Sequence, residues 1–240
     1  MRRRFFVKEF AGDRAILEGA TVHHLGRVLR AEPGQLYELS DGQHVWLGRI
    51  ARTTRDHIEF VLVDQIPAHR PPIDVTLLLA IVKFDAFEWA LEKATELGVT
   101  SIVPLAAARS EKALLSGAPK RADRWAKLLT EASQQSRRLR PPALSEVTRP
   151  KQAFAAAANN TSKILLSEKS DAPVLREILS SPTPLKTAAL AIGPEGGWTE
   201  EEFATAHAAG FREASLGKLI LRTETAVAAA LASLNYAFGE

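Results

Sequence analysis

Residues 188–203 read Ala-Ala-Leu-Ala-Ile-Gly-Pro-Glu-Gly-Gly-Trp-Thr-Glu-Glu-Glu-Phe. An apolar run enters a glycine-rich turn and leaves it as a helix start, with Thr199 and Glu202 spaced as a capping box. A glycine-rich turn before a helix invites a phosphate reading, because helix N-termini present unpaired N–H groups. The charges oppose it: Glu195 stands inside the loop and Glu200, Glu201 and Glu202 fill the first helical turn, where acids complement the helix dipole but repel phosphate. The Lys-Ser/Thr pair of a Walker loop and the G-x-G-x-x-G spacing are both missing. Bare backbone beside a carboxylate suits a cationic or neutral ligand with hydrogen-bonding edges, a description that adenosyl sulfonium meets. An ordinary tight strand-to-helix turn accounts for the same spacing equally well.

Working outward, the pattern repeats. Residues 75–82 form a continuous apolar run, as expected of a strand buried on both faces. Residues 85–97 place Phe87, Leu91, Ala94 and Leu97 on one helical stripe and Glu88, Glu92 and Glu96 on the other, with Gly98 at the C-cap position. Residues 101–105 read as a strand and 119–139 as a long helix, with Trp125, Leu128, Ala132 and Leu139 inward. A helix over 153–158 ends in a turn at Asn159-Asn160. Strands at 164–167, 188–192 and 213–220 then alternate with helices at 174–179, 199–209 and 226–238. This alternation predicts a parallel sheet covered by helices on both faces. Ligands bind such sheets at the carboxyl ends of the strands, which points to the residues immediately after Ser167, Ile192 and Ile220. Gly217 interrupts the last strand, as a bulge or a close backbone approach to a ligand does. Arg222-Thr223-Glu224-Thr225 forms a polar turn before an Ala-rich helix that Thr223 or Thr225 would cap. Arg222 and Glu224 are a surface pair on the plain reading, yet they fall at a strand's carboxyl end, where this architecture builds its sites.

The first 65 residues differ. Short alternating segments at 4–7, 35–39, 45–51 and 57–63, separated by turns such as Pro33-Gly34 and Asp41-Gly42, predict a small β-barrel or sandwich. One helical insert over 21–29 is expected, capped by Thr21. Ile66-Pro67-Ala68-His69-Arg70-Pro71-Pro72 reads as an interdomain linker. With 46% hydrophobic and 25% charged residues, the 240-residue chain has ample material for packed cores. It has no cysteine, which excludes disulfides and thiolate metal sites. The six His residues show no ligand spacing, so no metal is expected. The start, Met1-Arg2-Arg3-Arg4-Phe5-Phe6-Val7, lacks the apolar stretch of a signal peptide, and no apolar run approaches a membrane span. A soluble, cytoplasmic protein without membrane partners is expected. Net charge is only +3, but its distribution is uneven. Between residues 101 and 151, 11 Lys and Arg stand against 4 acids; from 188 onward, 3 stand against 7. A basic centre beside an acidic C-terminal segment suggests a polyanion on one surface.

GPEGGWTEEEF followed by LGKLILRTETA closely resembles the RsmE family of SPOUT methyltransferases. The similarity extends along the chain through His23-His24-Leu25 with Val28-Leu29-Arg30, through Lys83, Glu88 and Lys93-Ala94-Thr95-Glu96-Leu97-Gly98, and through Arg109-Ser110. It continues in Arg124-Trp125, Glu131-Ala132 and Gln135-Ser136 with Arg138. One departure is Arg137, where relatives often carry a small residue. The resemblance implies an N-terminal PUA-like β-barrel (residues 1–68) and a C-terminal SPOUT α/β domain (73–240) tied into a deep trefoil knot. It also implies S-adenosyl-L-methionine as cofactor, a homodimer, and methylation of N3 of a uridine in small-subunit ribosomal RNA. Ribose 2′-O-methylation and a non-catalytic RNA-binding assembly factor are the alternatives.

Carried over by position, the cofactor loops are Leu166, Ser167 and Glu168; Gly193, Pro194, Glu195, Gly196 and Gly197; and Leu216, Gly217, Leu219, Leu221, Arg222 and Thr223. Arg222 is the candidate for stabilising a uracil anion through its carbonyl oxygens, and Glu224 the candidate for taking the N3 proton. Arg2, Arg3, Arg4, His24, Arg27, Arg30, Lys83, Arg109, Arg124, Gln135 and Arg138 are expected to meet RNA.

Overall fold

A computed structural model of the chain describes residues 3–19, 22, 31–180 and 186–238. Its contacts define two units, residues 1–70 with 130–141, and residues 71–129 with 142–240.

The first unit holds β1 (Arg4–Phe6), β2 (Phe10–Ala11), β3 (Arg14–Glu18), β4 (Leu36–Ser40), β5 (Val45–Thr53) and β6 (His57–Ile66). They form one sheet in the order β1-β4-β5-β6-β3-β2, antiparallel except where β1 runs parallel to β4. Period-two alternation sends Phe5, Ala15, Leu17, Leu39, Ile50, Ile58 and Phe60 into one core. β3 escapes a reading from sequence because its two inward residues are flanked by charge at both ends. β6 extends to Ile66, so the expected linker begins one residue later. The helical insert expected over 21–29, with its cap Thr21, lies outside the described residues except for Val22. So do Arg2, His24, Arg27 and Arg30.

Residues 130–141 belong to this unit, which no sequence signal announced. Arg4 explains part of the attachment and corrects an expectation. It is 4% exposed, its Nε and Nη2 donate to Glu38 Oε2 at 3.1 and 2.9 Å, and its Nη1 donates to the Arg137 carbonyl at 2.5 Å. A guanidinium engaged inside the unit has no fork to offer a phosphate, so Arg4 is structural. Ser40 Oγ adds a bond to the Leu139 carbonyl at 2.6 Å. Arg137 itself sits at φ 56°, the left-handed region that small residues enter most easily.

The second unit is built on β7 (Asp74–Ala80), β8 (Ser101–Leu105), β9 (Ala143–Leu144), β10 (Ser162–Leu166), β11 (Thr187–Ile192) and β12 (Arg212–Ala214). All pair in parallel, in the order β12-β10-β11-β7-β8-β9. The helices are α1 (Phe84–Glu96), α2 (Lys112–Gly117), α3 (Ala122–Gln135), α4 (Pro150–Ala156), α5 (Leu175–Leu179), α6 (Glu200–Ala208) and α7 (Thr223–Phe238). A 3₁₀ turn over Ala118–Arg121 leads into α3, which crosses into the first unit before it ends. The expected helix over 119–139 is therefore shorter at both ends, and the left-handed Arg137 closes it.

The continuous apolar run of β7 is explained by helices on both of its faces. Val75, Leu77 and Leu79 pack with Phe87 and Leu91 of α1 and with Val227, Leu231 and Leu234 of α7. Leu78 and Ala80 pack with Phe154 of α4, Trp198, and Phe203 and Ala206 of α6. Asn235 Nδ2 also donates to the Leu97 carbonyl at 2.9 Å, fastening α7 to the end of α1. Glu88, expected on the outer stripe of α1, is instead 6% exposed and ion-paired. The strand expected over 213–220 stops at Ala214. Among the described residues β12 is an edge strand paired only with β10, Gly217 has φ 120°, and Leu219 and Ile220 are 83% and 82% exposed. Their apolar character mimics a strand that has no neighbour to pair with.

Candidate active site

Parallel pairing puts every strand's carboxyl end on one edge of the second unit's sheet, and a cleft of about 260 Å³ opens there. Three segments form most of it: residues 166–169 at the end of β10, 192–200 at the end of β11, and 216–226 running from after β12 into the first turn of α7. Twelve of the expected cofactor residues line it: Leu166, Ser167, Glu168, Gly193, Pro194, Glu195, Gly197, Leu216, Gly217, Leu219, Leu221 and Thr223. Gly196 and Arg222 do not line it, although both lie between residues that do. Glu224, in the first turn of α7, does not line it either.

The central loop is held by contacts that its sequence specifies. Gly197 N–H donates to the Pro194 carbonyl at 2.8 Å, closing a turn that leaves Gly197 at φ 69°. A Cβ there would lie 2.7 Å from Glu168 Oε1, and one on Gly193 would lie 3.0 Å from the Trp198 ring. Both glycines therefore permit a close approach that any side chain would obstruct. Trp198 is 4% exposed, and its Nε1 donates to the Leu166 carbonyl at 3.0 Å, joining two of the three segments. Thr223 Oγ1 donates to the Gly193 carbonyl at 3.2 Å and joins the third.

Glu202 acts inside the protein. It completes the capping box, with Thr199 N–H donating to Oε2 at 2.9 Å and Thr199 Oγ1 accepting from the Glu202 N–H at 3.2 Å. Its Oε1 accepts from the Ala108 N–H at 2.8 Å. That bond, with Ser110 Oγ donating to the Ile81 carbonyl at 2.7 Å, fixes Arg109 between them. Arg109 Nη1 then donates to the Gly196 carbonyl at 2.7 Å and lines the cleft. The sequence suggested Arg109 only as an RNA contact; its place after a strand's carboxyl end was the signal for the cleft. Lys169 carries no motif that announces it. Its ammonium stands 3.7 Å over the Phe203 ring and 3.4 Å from Glu200. Glu168 and Glu195, both exposed, have no hydrogen-bond or ion-pair partner among the described residues.

Of the other residues expected to meet RNA, Arg3 is exposed just before β1 and Lys83 is exposed at the N-cap of α1. Gln135 is exposed at the end of α3, and Arg124 binds Glu88. Arg138, in the first unit, is half-buried, and burial together with the charge of Arg140 pulls its pKa down to about 10. It stays cationic at neutral pH, in a position that an approaching anion would relieve.

The cleft by itself defines a kind of ligand; comparison with known proteins defines the family. A family described as an RNA methyltransferase domain matches residues 69–235, and one described as an RNA methyltransferase PUA domain matches residues 17–63. A ribosomal RNA small subunit methyltransferase E of Synechocystis is 36% identical over 224 residues, covering 91% of this chain and 72% of that protein. The protein of the same name from Bacillus subtilis is 30% identical, covering 92% and 89%. Among solved structures, the ribosomal RNA small subunit methyltransferase E of Neisseria gonorrhoeae bound to S-adenosyl methionine superposes with a TM-score of 0.88 at 30% identity, over 98% of both chains. A methyltransferase of Legionella pneumophila with bound SAM gives 0.87 at 28% identity, over 99% and 98%. The chain belongs to the RNA methyltransferase family, among the proteins called ribosomal RNA small subunit methyltransferase E.

Proposed function

We propose that the protein transfers the methyl group of S-adenosylmethionine to N3 of a specific uridine in small-subunit ribosomal RNA. The observation that carries this reading is the cleft at the strands' carboxyl ends, walled by bare backbone and by two unpaired carboxylates, Glu168 and Glu195. These groups fit a cationic ligand with an adenine edge. The cleft is poorly suited to phosphate, because Arg109 is engaged by the Gly196 carbonyl and Lys169 by Glu200 and the Phe203 ring. Relatives carrying the same name support the assignment of the RNA, and two similar structures hold the methyl donor.

S-adenosylmethionine, when bound, supplies an electrophilic methyl group on sulfur. The chain's own share is to bind and orient. The three loops would hold the donor by backbone groups, and Glu168 and Glu195 would favour its positive charge. Positioning of this kind contributes up to roughly 7–11 kcal/mol to a two-reactant step. Arg222 is our candidate for stabilising the uracil anion through its carbonyl oxygens, a reading supported by its exposure between the cleft residues Leu221 and Thr223, with Glu224 the candidate base. Arg222→Ala is expected to lower turnover with unchanged donor affinity; near-normal turnover would remove Arg222 from the mechanism.

We read residues 1–68 as the RNA-gripping domain and 73–240 as the SPOUT catalytic domain with its C-terminal chain knotted. Insertion of β11 between β7 and β10, and the bond from Thr223 at the start of α7 back to Gly193, support the knot. We read the active form as a cytoplasmic homodimer, supported by exposed Leu219, Ile220 and Tyr236 on the second unit. Nucleoside mass spectrometry of ribosomal RNA from cells lacking the protein tests the function. Loss of N3-methyluridine, restored by the gene, is expected; loss of a ribose-methylated nucleoside, or of none, would overturn it.

A further inference from the structure

Glu88 is an uncommon group for the first turns of α1, a carboxylate 6% exposed with two arginines directed at it. Arg124 donates from Nε to Oε1 and Oε2 at 2.9 Å each and from Nη2 to Oε2 at 2.7 Å. Arg121 donates from Nη1 to Oε1 at 3.0 Å, while its guanidinium carbon lies 4.4 Å over the Phe84 ring. Two guanidiniums are thus fixed in orientation by one buried carboxylate and one aromatic face. Their side chains remain 37% and 63% exposed, and their outer N–H donors have no partner among the described residues. The carboxylate stays ionised, so the cluster carries a net positive charge.

Its location gives the cluster a meaning. α1 begins four residues beyond the carboxyl end of β7, with Lys83 exposed at its N-cap, and β7 is the neighbour of β11. The guanidinium pair therefore lies on the same edge of the parallel sheet as the cleft. An ion pair whose function was only to staple α1 to α3 would need one arginine and would gain nothing from leaving the outer forks open. Guanidinium forks match phosphate oxygens in pairs, and forks already immobilised lose little entropy on binding.

We propose that Glu88 is a positioning residue that preassembles Arg121 and Arg124 as a clamp for the phosphodiester backbone of the substrate RNA beside the cleft. The proposal rests on the RNA methyltransferase reading. It makes a prediction with an unusual sign. Glu88→Gln removes a negative charge, so unspecific electrostatics alone would tighten RNA binding. If the clamp depends on preassembly, binding weakens instead, by roughly three- to tenfold, the scale of ordering one or two long side chains.

The experiment measures binding of a small-subunit ribosomal RNA transcript across a salt series for wild type, Glu88→Gln and the exposed-side pair Arg121→Ala/Arg124→Ala, with calorimetric S-adenosylmethionine binding as the control for an intact second unit. Weaker RNA binding by Glu88→Gln at unchanged donor affinity is expected. The double variant should lower the log–log salt slope by about 1.4, two phosphate contacts at about 0.7 each. Glu88→Gln that binds RNA as wild type or more tightly, or a double variant that keeps the wild-type slope, overturns the clamp. A wild-type protein that binds no ribosomal RNA overturns the proposed function as well, which separates the two failures.

Discussion

Replacing Gly197 with alanine tests whether Glu168 is held for a ligand or merely occupies space. The backbone at Gly197 has φ 69°, and the left-handed region costs an L-residue about 1–2 kcal/mol. For a chain of this size each kcal/mol lowers Tm by roughly 2–4 °C, so a fall of about 2–8 °C is expected. The added Cβ would lie 2.7 Å from Glu168 Oε1, a contact that must open, and 3.8 Å from Arg109 Nη1, which can stay. Glu168 is the far end of an exposed, unpaired side chain, so it swings aside at little cost to stability. Its cost falls on the cleft instead. If the carboxylate accepts a charge-assisted hydrogen bond worth about 1.5 kcal/mol from the bound donor, displacing it weakens S-adenosylmethionine binding about tenfold. The assay is calorimetric titration of Gly197→Ala, Glu168→Ala and the double variant, beside their melting curves. With Glu168 truncated there is nothing left to displace, so the double variant should bind as Glu168→Ala does. Losses that multiply in the double variant would show the two positions to be independent. Wild-type affinity in Gly197→Ala would refute the reasoning outright.

Three further outcomes are expected from other contacts. Trp198→Phe keeps the apolar ring but orphans the buried Leu166 carbonyl, which should cost about 1–3 kcal/mol in a urea titration and loosen donor binding, since that bond joins two walls of the cleft. Arg4→Met leaves Glu38, buried at 7% exposure, with only Arg137 Nη1 at 3.6 Å among the described residues and should destabilise by at most about 3–5 kcal/mol, with Arg4→Met/Glu38→Leu recovering part of it in the same titration. Burial pushes the Glu88 carboxyl up, but the hydrogen bonds and charge of Arg124, with those of Arg121, outweigh it and hold the pKa below the usual 4.5. Its contribution is therefore complete above that value and is lost as pH falls through the folded pKa, so wild type should lose more stability between pH 7 and acid than Glu88→Gln does.

The second unit was largely legible because its signals are local. The run at 75–82, the stripe in 85–97 and the capping box at Thr199 and Glu202 each encode one element through the period of a strand or helix, and the strand-end rule located the cleft. What failed was tertiary. Residues 215–222 are as apolar as a strand, and nothing in their pattern shows that β12 is an edge with no partner beyond it. Glu88 has the spacing of a solvated face, and only packing of the 3₁₀ turn and α3 against α1 turns that position inward. Arg4 belongs to a basic run that reads as an RNA arm, and its partner Glu38 is 34 residues away.

The acids at the start of α6 support a sound conclusion partly through the wrong residue. By sequence they form one repulsive group that excludes phosphate. Glu202 has no part in that: its carboxylate is fully engaged by Thr199 and the Ala108 N–H, so it faces the protein and places Arg109. Glu200 holds Lys169 and partly cancels it. The exclusion rests on Glu195 and on Glu168, which comes from a different loop that the spacing of 193–202 does not reach. Reversing it would therefore take both positions. Glu168→Gln/Glu195→Gln should weaken S-adenosylmethionine binding more than tenfold, the effect of losing about 1.4 kcal/mol or more of charge interaction, while leaving binding of the product S-adenosylhomocysteine, which lacks the sulfonium charge, much less affected. Equal losses for donor and product in calorimetry would mean that these carboxylates do not read the ligand's charge, and the selectivity of the cleft would have to come from its backbone alone.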